Sequence, residues 1–131
     1  MTELELQAQV ADYLRLQYPN VLFHSDFGSG IKLTPGQAVK QKRLQGGRRA
    51  WPDIMIAEFH VSPDDSGKRY NALFIELKRE GTRLVKKNGE WASDHIKEQA
   101  KMLHELHKRG YAAVFAVGFD EAKKIIDEYL A

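Results

Sequence analysis

Cysteine is absent from all 131 residues, which removes disulfides and thiolate metal sites from consideration. No apolar stretch is long enough to cross a bilayer. The opening MTELELQAQ is acidic and amphipathic, so it does not read as a secretion signal. The chain has no internal repeat, no linker and no low-complexity tract. The length suits one core and the composition is that of an average soluble protein. The expectation is a single domain over residues 1–131 in the cytoplasm, with no membrane partner and no small-molecule cofactor.

Acidic residues are missing from one long span. Between residues 27 and 52 there is none, while Lys32, Lys40, Lys42, Arg43, Arg48 and Arg49 all fall there. A second basic run, Lys78, Arg79, Arg83, Lys86 and Lys87, is broken only by Glu80. The net charge of +2 says little; its distribution points to a polyanionic partner. A series of aromatics, which single-strand platforms need, is also not evident. Duplex shape is therefore the expected readout, and phosphate contacts are expected of Lys40, Lys42, Arg43, Arg48 and Arg49.

The apolar spacing predicts a helix over residues 2–18, capped by Thr2 with Glu5 at the capping-box position. Leu6, Val10, Tyr13, Leu14 and Gln17 share its inner face. A short strand at 21–25 follows, then a glycine-containing loop, DFGSGIKLTPG, and a basic helix over 37–45. Residues 54–61 and 71–78 read as two strands of a hairpin, joined by the polar turn SPDDSGKR. Asn88-Gly89 signals a turn in a protruding ribbon over 82–91. Ser93 caps a helix to Arg109 that Gly110 terminates. Residues 111–117 form an uncharged strand, read as covered on both faces. Asp120 caps a last helix to Leu130. The order α-β-α-β-β-α-β-α gives a mixed sheet flanked by helices in an α/β domain.

Two features stand out on this frame. The run WPDIMIAEF places Asp53 at the mouth of an apolar strand, where a carboxylate packs poorly. The run ALFIELK puts Leu73, Ile75 and Leu77 on one face and Phe74, Glu76 and Lys78 on the other. Hairpin pairing brings Asp53 near Glu76. Two adjacent carboxylates repel unless a cation neutralises them, and oxygen ligands suit Mg²⁺ or Mn²⁺. Such an ion polarises phosphate and acidifies water, and Lys78 can orient that water or stabilise charge on the phosphate. The competing reading is a cross-strand ion pair with Asp53 as turn punctuation. Decoys exist at Pro63-Asp64, in a polar turn, and at Glu121-x-Lys123, in a helical first turn. Only Asp53 and Glu76-x-Lys78 lie on apolar strands.

Asp53 followed by Glu76-Leu77-Lys78 resembles the PD-(D/E)XK nuclease signature. The segments ELELQAQVADYL, LQGGRRAWPDIMI, IELKREGTRL, HIKEQAKMLHEL and GYAAVFAVGFDEAKKIIDEYL, in this order, resemble the VRR-NUC family in its stand-alone phage and bacterial form. The resemblance implies a restriction-endonuclease-like core and a metal-dependent, structure-specific DNA endonuclease. It implies a homodimer cutting branched DNA such as four-way (Holliday) junctions, in the bacterial host cytoplasm if phage-encoded. It implies Asp53 and Glu76 as metal ligands, the Leu77 carbonyl as a further one, Lys78 as the catalytic lysine and Gln99 as the family's helix glutamine. The first-helix acid is Glu3 or Glu5. Helical spacing favours Glu3, in a stripe with Gln7, Val10 and Leu14, as a ligand direct or through water. Trp51 departs from the family's usual small residue before the proline, and rim or core packing is expected of it.

Nucleases acting on flaps, nicks or ends, and a non-catalytic DNA-binding module on the same fold, are the alternatives. His104 and His107 share a helix spacing compatible with metal, but without a third ligand in sequence they read as a solvated face. Ile126 and Tyr129 are candidates for a dimer surface.

Overall fold

The computed structural model describes residues 1–26, 32–48, 50–61 and 67–131. The glycine loop at 27–31, Arg49 and the Pro63-Asp64 turn lie outside the described residues. Helix α1 spans Glu3–Gln17, and the Thr2 hydroxyl accepts from the Glu5 N–H at 3.0 Å. Its buried residues are Leu6, Gln7, Val10 and Leu14. Gln17, expected on this inner face, is exposed instead: it is the last residue of the helix, and Tyr18, whose N–H closes the helix on the Leu14 carbonyl, packs against the core in its place.

Strand β1 (Phe23–Ser25) is followed by helix α2 (Pro35–Leu44), which a complete Thr34–Gln37 capping box opens. α2 buries none of its residues. Next come β2 (Ile54–Ile56), β3 (His60–Val61), β4 (Arg69–Tyr70) and β5 (Leu73–Lys78). The first expected hairpin strand, 54–61, is thus broken into β2 and β3, whereas the second, expected over 71–78, is continuous from Leu73 to Lys78. The Ala57 N–H turns to the Leu22 carbonyl at 2.8 Å, and the Glu58 carbonyl accepts from the Tyr129 hydroxyl at 2.6 Å. Those bonds bend the chain out of the first ladder, and β3 pairs with β4 in a separate two-stranded sheet.

Helix α3 (Asp94–Lys108) is capped by Ser93, whose hydroxyl accepts from the Ile96 N–H, and ends before Gly110 at φ 93°. Strand β6 (Ala112–Val117) leads into α4 (Phe119–Leu130). Gly118, not Asp120, occupies the N-cap of α4, at φ 83°; Asp120 lies inside the first turn. The ribbon at 82–91 forms one antiparallel bridge, Val85 to Trp91, around Gly89. Trp91 leans on Phe115, with ring centroids 6.0 Å apart.

The main sheet has the order β1-β2-β5-β6, antiparallel except for the parallel β5–β6 pair. The alternation of β5 sorts the core. Leu73, Ile75 and Leu77 join Ile54, Ile56 and Ala116 under α1 and α4, while Phe74 packs with Met102 and Leu106 of α3 on the opposite face. β6 is an edge strand and only Ala116 is fully buried in it, so its covering is thinner than its apolar sequence implies. Ile126 and Tyr129 are buried in the core, which removes both from any dimer surface.

Candidate active site

Asp53, Glu76 and Lys78 meet at one end of the main sheet. The register Ile54↔Ile75 sets Asp53, one residue earlier, opposite Glu76, one residue later. All three are buried, at 6%, 4% and 5% exposure. Charged side chains are almost never buried to this extent without a partner or a role.

Each is held by its own strand and by neighbours. The Leu77 N–H donates to Asp53 Oδ2 at 2.7 Å, so the carboxylate caps the strand that carries the other two residues. Gln99, from the inner face of α3, donates its amide to Glu76 Oε1. The second oxygen, Glu76 Oε2, is buried with no hydrogen-bond partner among the described residues, as is Gln99 Oε1. Lys78 Nζ lies 3.9 Å from Glu3 Oε2, and the Lys78 carbonyl accepts from the Gly118 N–H at 2.8 Å. Burial pushes the Glu76 carboxyl well above the usual carboxylate range, and the Asp53 charge pushes it further, against the opposing pull of the Lys78 ammonium.

Of the two first-helix acids, Glu3 reaches this end of the sheet and Glu5 is exposed beside the cap. The Glu3 side chain is 41% exposed and its contact is with Lys78. Among the described residues no three His, Cys, Asp or Glu side chains gather closely enough to hold an ion by themselves. His104 and His107 are exposed, and the His107 ring lies 6.2 Å from that of Tyr70. Lys40, Lys42, Arg43 and Arg48 are exposed on α2 and just beyond it. Arg49 is outside the described residues. Trp51 packs at the rim, its ring centroid 6.5 Å from that of Phe74.

Gln7 has a role that helical spacing alone did not reveal. Placed beside Glu3 by its stripe, it is buried and donates to Ser25 Oγ at 2.6 Å and to the Asp26 carbonyl at 2.8 Å. The Asp26 N–H in turn donates to the Asp53 carbonyl at 2.8 Å. Gln7 therefore ties α1 to the backbone that places Asp53. The signal in the sequence was a polar residue on an otherwise apolar helix face. A further constraint lies just upstream, where Ala50 adopts φ 63°, a left-handed conformation that costs a non-glycine residue roughly 1–2 kcal/mol.

A mixed sheet with helices on both faces, carrying buried Asp, Glu and Lys side chains at one end, is the α/β core of restriction-endonuclease-like proteins. No protein-family model matches the chain, and no curated protein matches it. Among solved structures, one described as a "VRR_NUC domain protein" superposes with a TM-score of 0.66 and 25% identity. The match covers 99% of this chain and 88% of that one. The likeness extends over nearly the whole chain and supports a nuclease-type fold of the VRR-NUC kind.

Proposed function

We propose that this chain is a metal-dependent DNA endonuclease that hydrolyses phosphodiester bonds in branched DNA, four-way junctions in particular, as a homodimer. Residues 1–131 would act as one nuclease domain. The observation that carries the reading is the burial of Asp53, Glu76 and Lys78 together at the same sheet end.

The donor set fits a hard divalent cation. The two buried carboxylates oppose one another across the ladder, and one oxygen, Glu76 Oε2, has no hydrogen-bond partner among the described residues. Magnesium sites commonly use one or two carboxylates and complete their shell with water and substrate phosphate, so two carboxylates suffice. Asp53 and Glu76 would hold Mg²⁺ or Mn²⁺, with the Leu77 carbonyl and Glu3, direct or through water, as further ligands. When bound, such an ion polarises a phosphate oxygen and lowers the pKa of water.

The chain's own residues do the rest. Gln99 fixes the Glu76 carboxylate by holding one oxygen, leaving the other without a hydrogen-bond partner among the described residues. The Leu77 N–H fixes the Asp53 carboxylate. Lys78 brings an ammonium to the same sheet end, where its charge acts on the Glu76 carboxyl and where it can orient the attacking water and stabilise charge on the phosphate. Its pairing with Glu3 limits where the ammonium can swing. Lys40, Lys42, Arg43, Arg48 and Arg49 would take backbone phosphates, so binding should weaken steeply with salt.

The test is cleavage of a labelled four-way junction beside a plain duplex and a flap, with magnesium, manganese or EDTA. Metal-dependent junction cutting that disappears in Asp53→Asn and Lys78→Ala is the expected result. Cutting confined to flaps or ends keeps the chemistry and rejects the junction. DNA binding without any cutting rejects the enzyme.

A further inference from the structure

A cleft of about 780 Å³ opens one residue beyond Lys78. Its walls are the start of α1, residues 79–82 after β5, and the turn from β6 into α4. This is the carboxyl end of the parallel pair β5–β6, the position where α/β sheets hold ligands. Asp53, Glu76 and Lys78 share that end. The volume lies within the roughly 300–1,000 Å³ of small-molecule sites.

The lining has two characters. Leu6, Val117 and Phe119 supply apolar surface. Phe119 is already braced edge-on against Tyr13, with ring centroids 5.7 Å apart, so this wall is preformed. Gln9 supplies the polar counterpart. Its Oε1 is buried and has no hydrogen-bond partner among the described residues. A buried acceptor left without a donor is destabilising, and such groups are few in native proteins and call for an explanation. Glu80 and Asp120 add further acceptors to the lining, which disfavours a free phosphate anion there. The group that suits the cleft is flat, apolar on its faces and rich in N–H donors on its edge.

We infer that the cleft seats an unpaired nucleotide of the strand being cut. Its base lies against the apolar wall with its N–H edge toward Gln9, whose amide turns outward to bring Oε1 to it, and Arg79 takes the adjoining sugar–phosphate. This rests on the nuclease reading above and narrows it. A paired, stacked nucleotide has its edge occupied and cannot enter, whereas an unpaired or extruded one can. DNA with an unpaired nucleotide beside the cut is then preferred over continuously paired DNA.

The experiment places 2-aminopurine at the unpaired position of a branched DNA, next to the branch. In EDTA, where cutting does not interfere, the wild-type chain changes the probe's fluorescence. Gln9→Leu, which removes the acceptor, and Thr82→Trp, which fills the cleft from its rim, both diminish that change. With magnesium, the preference for the unpaired over the fully paired substrate falls about tenfold in Gln9→Leu, the worth of one buried hydrogen bond. Unchanged probe fluorescence on wild-type binding, or an unchanged preference in both variants, overturns the inference. A fluorescence change that both variants lose, with no cutting of any DNA, keeps the nucleotide site and rejects the nuclease.

Discussion

Replacing Glu76 with glutamine removes a charge while keeping the shape of the side chain, and the metal-free protein is expected to become more stable at neutral pH as a result. The native fold holds the Glu76 carboxyl above the usual carboxylate range through burial and the Asp53 charge. The unfolded chain does neither. A group whose pKa is raised in the folded state contributes stability fully below its unfolded pKa and loses it as pH climbs toward the folded value. Within that window each pH unit costs the native state up to about 1.4 kcal/mol. From pH 5.5 to 7.5 the loss is therefore at most about 3 kcal/mol for wild type, and Glu76→Gln escapes it. Glu105 and Asp127 are held below the usual range by Arg109 and by Tyr13 respectively. They act with the opposite sign, but equally in both proteins, so the comparison cancels them. The assay is urea unfolding followed by circular dichroism at pH 5.5, 6.5 and 7.5 in EDTA. Magnesium favours the ionised carboxylate, so at a hundred times its dissociation constant it restores about 2.7 kcal/mol to wild type at pH 7.5 and little to the variant. Parallel pH dependences in EDTA would refute the reasoning, because Glu76 would then not be the group that burial and Asp53 perturb.

Gln7→Ala removes two hydrogen bonds to the end of β1. A loss of roughly 1–3 kcal/mol in urea unfolding, with slower cleavage at saturating DNA, is the expected outcome; unaltered turnover in the folded variant would reject the tie to Asp53. Lys40→Ala, Lys42→Ala and Arg43→Ala combined should flatten the slope of log affinity against log salt by up to about 2.7, at about 0.9 per phosphate contact. Because α2 buries no residue, the thermal midpoint of that variant should stay close to wild type. Ala50→Gly relieves a positive φ and should stabilise by up to about 1 kcal/mol after glycine's entropy cost, measured by the same urea titration.

The elements whose determinants are local could be read from the sequence. The alternation of ALFIELK assigned Leu73, Ile75 and Leu77 to one core and Phe74 to the other, because side-chain direction in a strand follows from backbone geometry alone. Thr2 and Ser93 announced their helices for the same reason, since a cap bonds within three residues. The opposition of Asp53 and Glu76 also followed, once the hairpin fixed the register. What the sequence left open depends on partners far along the chain. Residues 54–61 look like one strand by composition, yet Tyr129 claims the Glu58 carbonyl across a separation of 71 and the ladder breaks there. Asp120 is a good cap by type, but the Gly118 N–H already bonds the Lys78 carbonyl, so the helix starts from that glycine. Helical spacing favoured Glu3 over Glu5 without saying what Glu3 meets; the packing of α1 on β5 brings it to Lys78. Local propensity is written in neighbouring residues, whereas the partner of a buried polar group is settled when distant elements meet, and for Gln7 that meeting spans 18 and 19 positions.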